Sequence, residues 1–238
     1  ALLCGAHGKG RGSSRGAGAH GLAGAGGGAR AALRERLLNE SLYSRLDPPW
    51  ELSSEPIEVE LHLEIRKVTN VDITSGSISL SVWYTQSWWD FRLEYNGTDE
   101  FGVFWNSSRD FISMEPESVW TPDIQLYDTT EALFTGEDFT STMVQLFDSQ
   151  GGSHSDKLYN ARWSQPGTVK TKCKFDLTDF PFDKPGCKMR FGSWLHPSHV
   201  LTIKPEGNVS SLDKLGLMEY DLDQVSWANE TRNYAVGN

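Results

Sequence analysis

Cys173 and Cys187 enclose 13 residues in the stretch CKFDLTDFPFDKPGC, and the third cysteine, Cys4, stands far from both. A bond between the pair would close a loop of a size that constrains the unfolded chain by roughly 3 kcal/mol. That accounts for the cysteines but not for what lies between them. Phe175 and Leu177 alternate as a strand would, and Phe180-Pro181-Phe182 forms a stiff apolar turn, because the proline ring fixes its own backbone. Asp183 follows directly and is suited to capping that turn. An apolar tip of this kind is a liability in water and a contact surface for something else. Metal and nucleophile chemistry finds less support. His196 and His199 in HPSH have a spacing a metal could use, but no cysteine or acidic cluster joins them. Pro197 also keeps them off a shared helical face, so no metal site is expected. Ser193 follows Gly192 without the G-x-S-x-G elbow of a hydrolase. No glycine-rich phosphate loop lies between a strand and a helix. The residues describe neither an enzyme nor a cofactor site. Five N-x-S/T sequons, at Asn39, Asn96, Asn106, Asn208 and Asn229, are candidate glycosylation sites. With the cysteine pair they point to the secretory pathway.

The scaffold for these residues comes from 238 residues, enough for one large domain that buries a core without disulfide help. The net charge of −10 is uneven: residues 1–36 carry about +5, the remainder about −15. An acidic body argues against nucleic acid as a partner. No stretch of 18 apolar residues is present, so no membrane-spanning helix is expected within the chain. Residues 1–29 are rich in Gly and Ala and read as disordered. Residues 29–46 read as one amphipathic helix, with Leu33, Leu37, Leu38 and Leu42 at near-helical spacing, stopped by DPPW. From there the period changes to two. IEVELHLEI (57–65) alternates throughout, and SISLSVWYT (77–85) repeats the pattern with Ile78, Leu80, Val82 and Tyr84 on one face. Further strands are expected at 111–114, 124–127, 143–147, 157–163, 168–175, 187–194 and 199–204, separated by turn residues such as NG, QGG and PG. The fold class is all-β: an immunoglobulin-like twisted β-sandwich behind an N-terminal α-helix. One residue departs from the alternation. Trp83 shares its face with Ser77, Ser79, Ser81 and Thr85. A tryptophan there either packs on a neighbouring loop or forms a wall for a ligand or another subunit.

Taken together, the stretches resemble the extracellular ligand-binding domain of the Cys-loop pentameric ligand-gated ion channels, the nicotinic acetylcholine receptor family. The cysteine spacing and the F-P-x-D core match the family loop. VWYTQSWWDFRLEYN (82–96) resembles the family's W-x-x-x-x-W-x-D-x-x-L-x-W-N segment, with Tyr95 for the usual Trp. VWTPDIQLYD (119–128) resembles W-x-P-D-x-x-L-Y-N, with Asp128 for Asn. CKMRFGSW (187–194) is similar to the run from the second cysteine to the ligand-facing Trp. The resemblance covers about residues 30–238.

This resemblance implies a helix followed by a ten-stranded sandwich, a Cys173–Cys187 disulfide, and four like or related subunits completing a ring, for instance a homopentamer. A small cationic neurotransmitter-like ligand would sit between subunits. Tyr127 and Trp194 would form the principal face, and Trp83, Arg162 and Ser164 the complementary face. A quaternary or protonated amine is attracted to aromatic faces, best of all to Trp. The loop tip, Phe180, Pro181, Phe182 and Asp183, would be the gating contact with a membrane pore domain not in this sequence. The location implied is the extracellular face of the plasma membrane. One departure stands out. The family's capping hairpin, with its aromatics and, in acetylcholine-binding principal subunits, adjacent cysteines, is not found before WANETRNYAVGN ends, although Tyr234 lies near its entry. The domain therefore reads as truncated before its last strand. A secreted acetylcholine-binding protein and a non-binding structural subunit are the alternatives. The apolar Phe-Pro-Phe tip favours the channel over the secreted binder.

Overall fold

The computed structural model describes residues 23–50, 55–102, 105–106, 110–127, 129, 142–148, 159–175, 178, 186–206, 210–211 and 225–231. Its elements, in chain order, begin with helix α1 (Ala23–Leu37), strands β1 (Ile57–Asp72) and β2 (Ser77–Trp88), a 3-10 turn at Phe91–Leu93, and helix α2 (Gly97–Phe101). There follow β3 (Ile112–Met114), β4 (Ile124–Leu126), β5 (Val144–Leu146), β6 (Ala161–Lys174), β7 (Gly186–Cys187), β8 (Phe191–Ser193), β9 (Leu201–Pro205) and β10 (Ser210–Ser211).

The period-two segments pair as their apolar faces require. The large sheet has the order β10-β1-β2-β6-β5-β3, with β9 also on β1 and β7 on β6; β4 and β8 form a second, two-stranded sheet. β2 lies between β1 and β6 and runs antiparallel to both, whereas β9 and β10 run parallel to β1. Val59, Leu61, Leu63 and Ile65 of β1 and Leu80, Val82, Tyr84 and Trp88 of β2 all point into one core, which Ile124 and Leu126 of β4 enter from the other sheet. Tyr84 stacks on Phe191 of β8 with ring centroids 5.8 Å apart, so the two layers meet through aromatic rings. This is an all-β sandwich with an N-terminal helix.

Three expectations about element limits are corrected. Helix α1 starts at Ala23, inside the Gly/Ala-rich stretch read as disordered to residue 29, and ends at Leu37 rather than at 46. The Asn39 side chain accepts from the Ser41 backbone N–H at 3.0 Å, offering the chain a local alternative to further helix. Leu42 is consequently 78 % exposed instead of lying on the buried stripe with Leu33 and Leu37. Second, the strands expected at 157–163 and 168–175 are one strand, β6, which runs straight through Pro166-Gly167. Among the described residues, β6 at Pro166 pairs only with β2, opposite Trp83. A proline there can turn its missing N–H toward the open edge. Third, the strand expected at 187–194 is two short ones, β7 and β8.

The turn after β2 is held by a buried polar knot. Asp90, fully buried, accepts from Arg92 Nε and Nη2, each at 2.8 Å, and from the Arg92 backbone N–H at 3.1 Å. Arg92 Nη1 reaches the carbonyls of Ser44 and Asp47, which ties in the chain that follows α1. The Asn160 side chain exchanges two 2.8 Å bonds with the Asp90 backbone. Burial, with the Asp90 charge as a second cause, pushes the neighbouring Tyr43 phenol well above its ordinary pKa, so it stays a neutral donor and acceptor. Removing one partner of a buried ion pair leaves the other charge uncompensated. Asp90→Ala is therefore expected to lower the unfolding free energy by about 3–5 kcal/mol, read as a fall in the urea midpoint. A midpoint unchanged within error would show that the knot does not hold this turn.

Candidate ligand-binding site

Two short strands place the residues expected on the principal face. β4 and β8 pair with Ile124 opposite Ser193 and Gln125 opposite Gly192. Tyr127 lies just past the end of β4, and Trp194 just past the end of β8. Their rings are 6.3 Å apart at 57°. Trp194 is 75 % exposed and Tyr127 38 %, so both present open aromatic surface. They share a cleft of about 530 Å³ with Asp123, Gln125, Leu126, Thr129 and Leu195.

Two local features hold the rings there. The first is Gly192. A Cβ added to it would come within 2.6 Å of the Tyr127 ring. Tyr127 is two residues beyond Gln125, on the diagonal from Gly192, and the absent side chain lets its ring lie against the strand. The hydroxyl then donates to the Ser193 carbonyl at 2.6 Å. The second is Asp123. One carboxylate oxygen accepts from the Trp194 and Leu195 backbone N–H groups at 3.0 and 2.6 Å; the other accepts from Ser193 Oγ at 2.6 Å. Two successive N–H groups converging on one anion form a small nest. Ser193 Oγ in turn accepts from the His196 N–H at 2.8 Å, and His196 Nε2 stands 4.0 Å from Asp123. Among the described residues, no group of three or more His, Cys, Asp or Glu is placed to hold a metal.

The residues expected on the complementary face come together elsewhere, on the outer face of the large sheet. Thr85 pairs with Ser164, Ser87 with Arg162, and Trp83 with Pro166, so Trp83, Ser164 and Arg162 share one side of neighbouring strands. The Trp83 indole N–H donates to Ser164 Oγ, and that hydroxyl also bonds Thr85 Oγ1 at 2.8 Å. The indole edge is thus fixed while 38 % of the residue remains exposed. Tyr127 and Trp194 belong to the small sheet and Trp83 to the large one, so the two groups are separate surfaces of the chain.

Cys173 and Cys187 form a disulfide, in register between β6 and β7 with Cα atoms 4.5 Å apart. The loop tip, Phe180, Pro181, Phe182 and Asp183, lies outside the described residues, as do Asn208 and Tyr234. Of the remaining sequon asparagines, Asn39, Asn106 and Asn229 are exposed. Asn96 is half-buried and spends its side-chain oxygen capping α2, accepting from Thr98 and Asp99 N–H.

Sequence reasoning missed two residues. Asp123 lies inside a quoted motif, but its role depends on the tertiary pairing of β4 with β8. Arg66 places its guanidinium carbon 5.3 Å from the Trp83 ring centroid. The available signal was its place on the polar phase of β1, two residues after Glu64.

The chain matches, over residues 30–237, the family model of the neurotransmitter-gated ion-channel ligand binding domain. It is 32 % identical over 230 residues to the human neuronal acetylcholine receptor subunit alpha-5, which covers 91 % of this chain and 45 % of that one. It is 30 % identical over 183 residues to the beta-3 subunit of Gallus gallus, 76 % of this chain and 36 % of that one. With the non-alpha-2 subunit of Carassius auratus it shares 29 % identity over 163 residues, 68 % of this chain and 31 % of that one. The chain thus spans less than half the length of these relatives.

The Asp123 nest gives a direct expectation. Asp123→Ala removes the acceptor of two backbone N–H groups and one hydroxyl, worth about 1–3 kcal/mol. Amide hydrogen exchange at Trp194 and Leu195 should quicken by about five- to 100-fold, with exchange in β1 and β2 unchanged. Unaltered exchange at both amides would show that Asp123 does not hold the loop.

Proposed function

The chain belongs to the neurotransmitter-gated ion-channel ligand-binding domain family, and from that premise we propose that it receives a small cationic, acetylcholine-like amine between subunits of a pentameric receptor. The observation that carries this reading is the pairing of Tyr127 and Trp194 over an open cleft, with the loop bearing Trp194 tied down by Asp123. An ammonium group gains about 0.5–2 kcal/mol from each aromatic face that it reaches, more as water is excluded. Two rings supply part of a cage. Trp83, on the other sheet, supplies a further wall to a neighbouring subunit's cleft, flanked by Ser164 and Arg162. A subunit with one surface of each kind makes head-to-tail contacts, and such contacts close into a ring when the rotation permits.

Signal transfer follows from the same reading. The apolar tip Phe180-Pro181-Phe182, with Asp183, is the surface we assign to contact with a membrane pore domain, and the Cys173–Cys187 disulfide anchors it to β6. The domain itself corresponds to residues 30–238 and would face the outside of the plasma membrane, with Asn39, Asn106 and Asn229 open to glycans. Binding of tritiated acetylcholine to the assembled receptor tests the site. Trp83→Ala and Trp194→Ala should each weaken it by about two- to 30-fold. If neither substitution changes binding, the aromatic cage is wrong.

A further inference from the structure

We propose that Arg66 is a built-in cation on the Trp83 wall, which competes with an ammonium ligand and so sets the affinity of this half-site. The inference rests on the reading of Trp83 as a ligand wall. Arg66 lies two residues beyond Glu64, the partner of Trp83, at the point where the β1–β2 register shifts between Ile65/Val82 and Lys67/Ser81. Such a bulge sets two residues of one strand against one of its partner. Arg66 keeps the outward phase of Glu64, the residue opposite Trp83, and is exposed, as is the next residue, Lys67. The Arg66 guanidinium carbon is 5.3 Å from the Trp83 ring centroid, within the range at which a cation is held by the face of an indole. The planar guanidinium also stacks, which an ammonium cannot do. Among the described residues no carboxylate pairs with Arg66; Glu64, opposite Trp83 in the register, is the acid placed nearest in the strand pattern.

The consequence is a competition. The ring offers its π-density to one cation at a time on a given face, and two like charges brought together there repel. The indole cannot swing aside to offer a fresh surface, because its N–H is held by Ser164. A quaternary ammonium arriving at this face must displace the guanidinium. The half-site therefore binds such a group less tightly than its aromatic wall alone would allow.

The full chain, ¹⁵N-labelled, tests this by titration with tetramethylammonium chloride at constant ionic strength. The Trp83 indole N–H resonance, assigned by its loss in Trp83→Phe, is the readout. Arg66→Gln, a surface change, should lower the apparent Kd at Trp83 about two- to fivefold. Arg66→Lys keeps the charge but gives up the planar stack, so it should fall between Gln and wild type. A wild-type response that Arg66→Gln leaves unchanged or weakens overturns the competition while Trp83 stands as a ligand wall. No response at Trp83 in any variant overturns the wall itself, and this inference with it.

Discussion

The register of β2 is the constraint on which the other features depend. All 12 of its residues are paired on both sides, from Ser77 to Trp88, with β1 and with β6. A strand held on two sides cannot slip by one residue without turning its whole buried set outward. Leu80, Val82, Tyr84 and Trp88, at 3 % exposure or less, make that slip prohibitive. The same arithmetic leaves Trp83 no choice of face. The outward orientation of Trp83 is thus decided by the residues that point the other way, and its stability is the stability of the core.

The chain beyond β2 shows how much of a recognisable sequence pattern is architecture. In VWYTQSWWDFRLEYN, Trp88 and Leu93 are core, Asp90 closes a buried ion pair, and Asn96 caps α2. Tyr95, standing where the pattern has Trp, keeps a polar handle: its hydroxyl donates to the Leu146 carbonyl at 2.9 Å, and its ring meets Trp105 edge-on. Most of the segment that makes the family legible therefore reports the fold. Trp83 is the aromatic residue of β2 that faces outward.

The alternation of IEVELHLEI and SISLSVWYT was readable because a half-buried strand repeats every two residues, and the structure keeps the phase of both. Features needing non-local information were not readable. Pro166-Gly167 looks like a turn from its chemistry, yet it lies within a strand, where among the described residues β6 pairs only on its β2 side. Leu42 has helical spacing to Leu38, yet Asn39 redirects the chain first. Asp123 is an ordinary acid in the sequence. It becomes a positioning residue only when β8 brings two N–H groups to it. Arg66 keeps the outward phase of β1, but its place over Trp83 depends on which residue of β2 pairs with Glu64, and that is a matter of register.

Gly192 and Tyr127 are far apart in sequence and occupy one volume in space, since a single methyl group at 192 would stand 2.6 Å from the tyrosine ring. In evolutionary terms the two positions form a ratchet. While the tyrosine keeps its seat, substitution at 192 is closed. Once a lineage gives up the ring, the glycine is released to drift and the seat fills, so that a return to tyrosine requires two changes instead of one. A larger residue at the position of Gly192 in a related chain would then be a fossil of a lost aromatic wall, readable from its sequence alone.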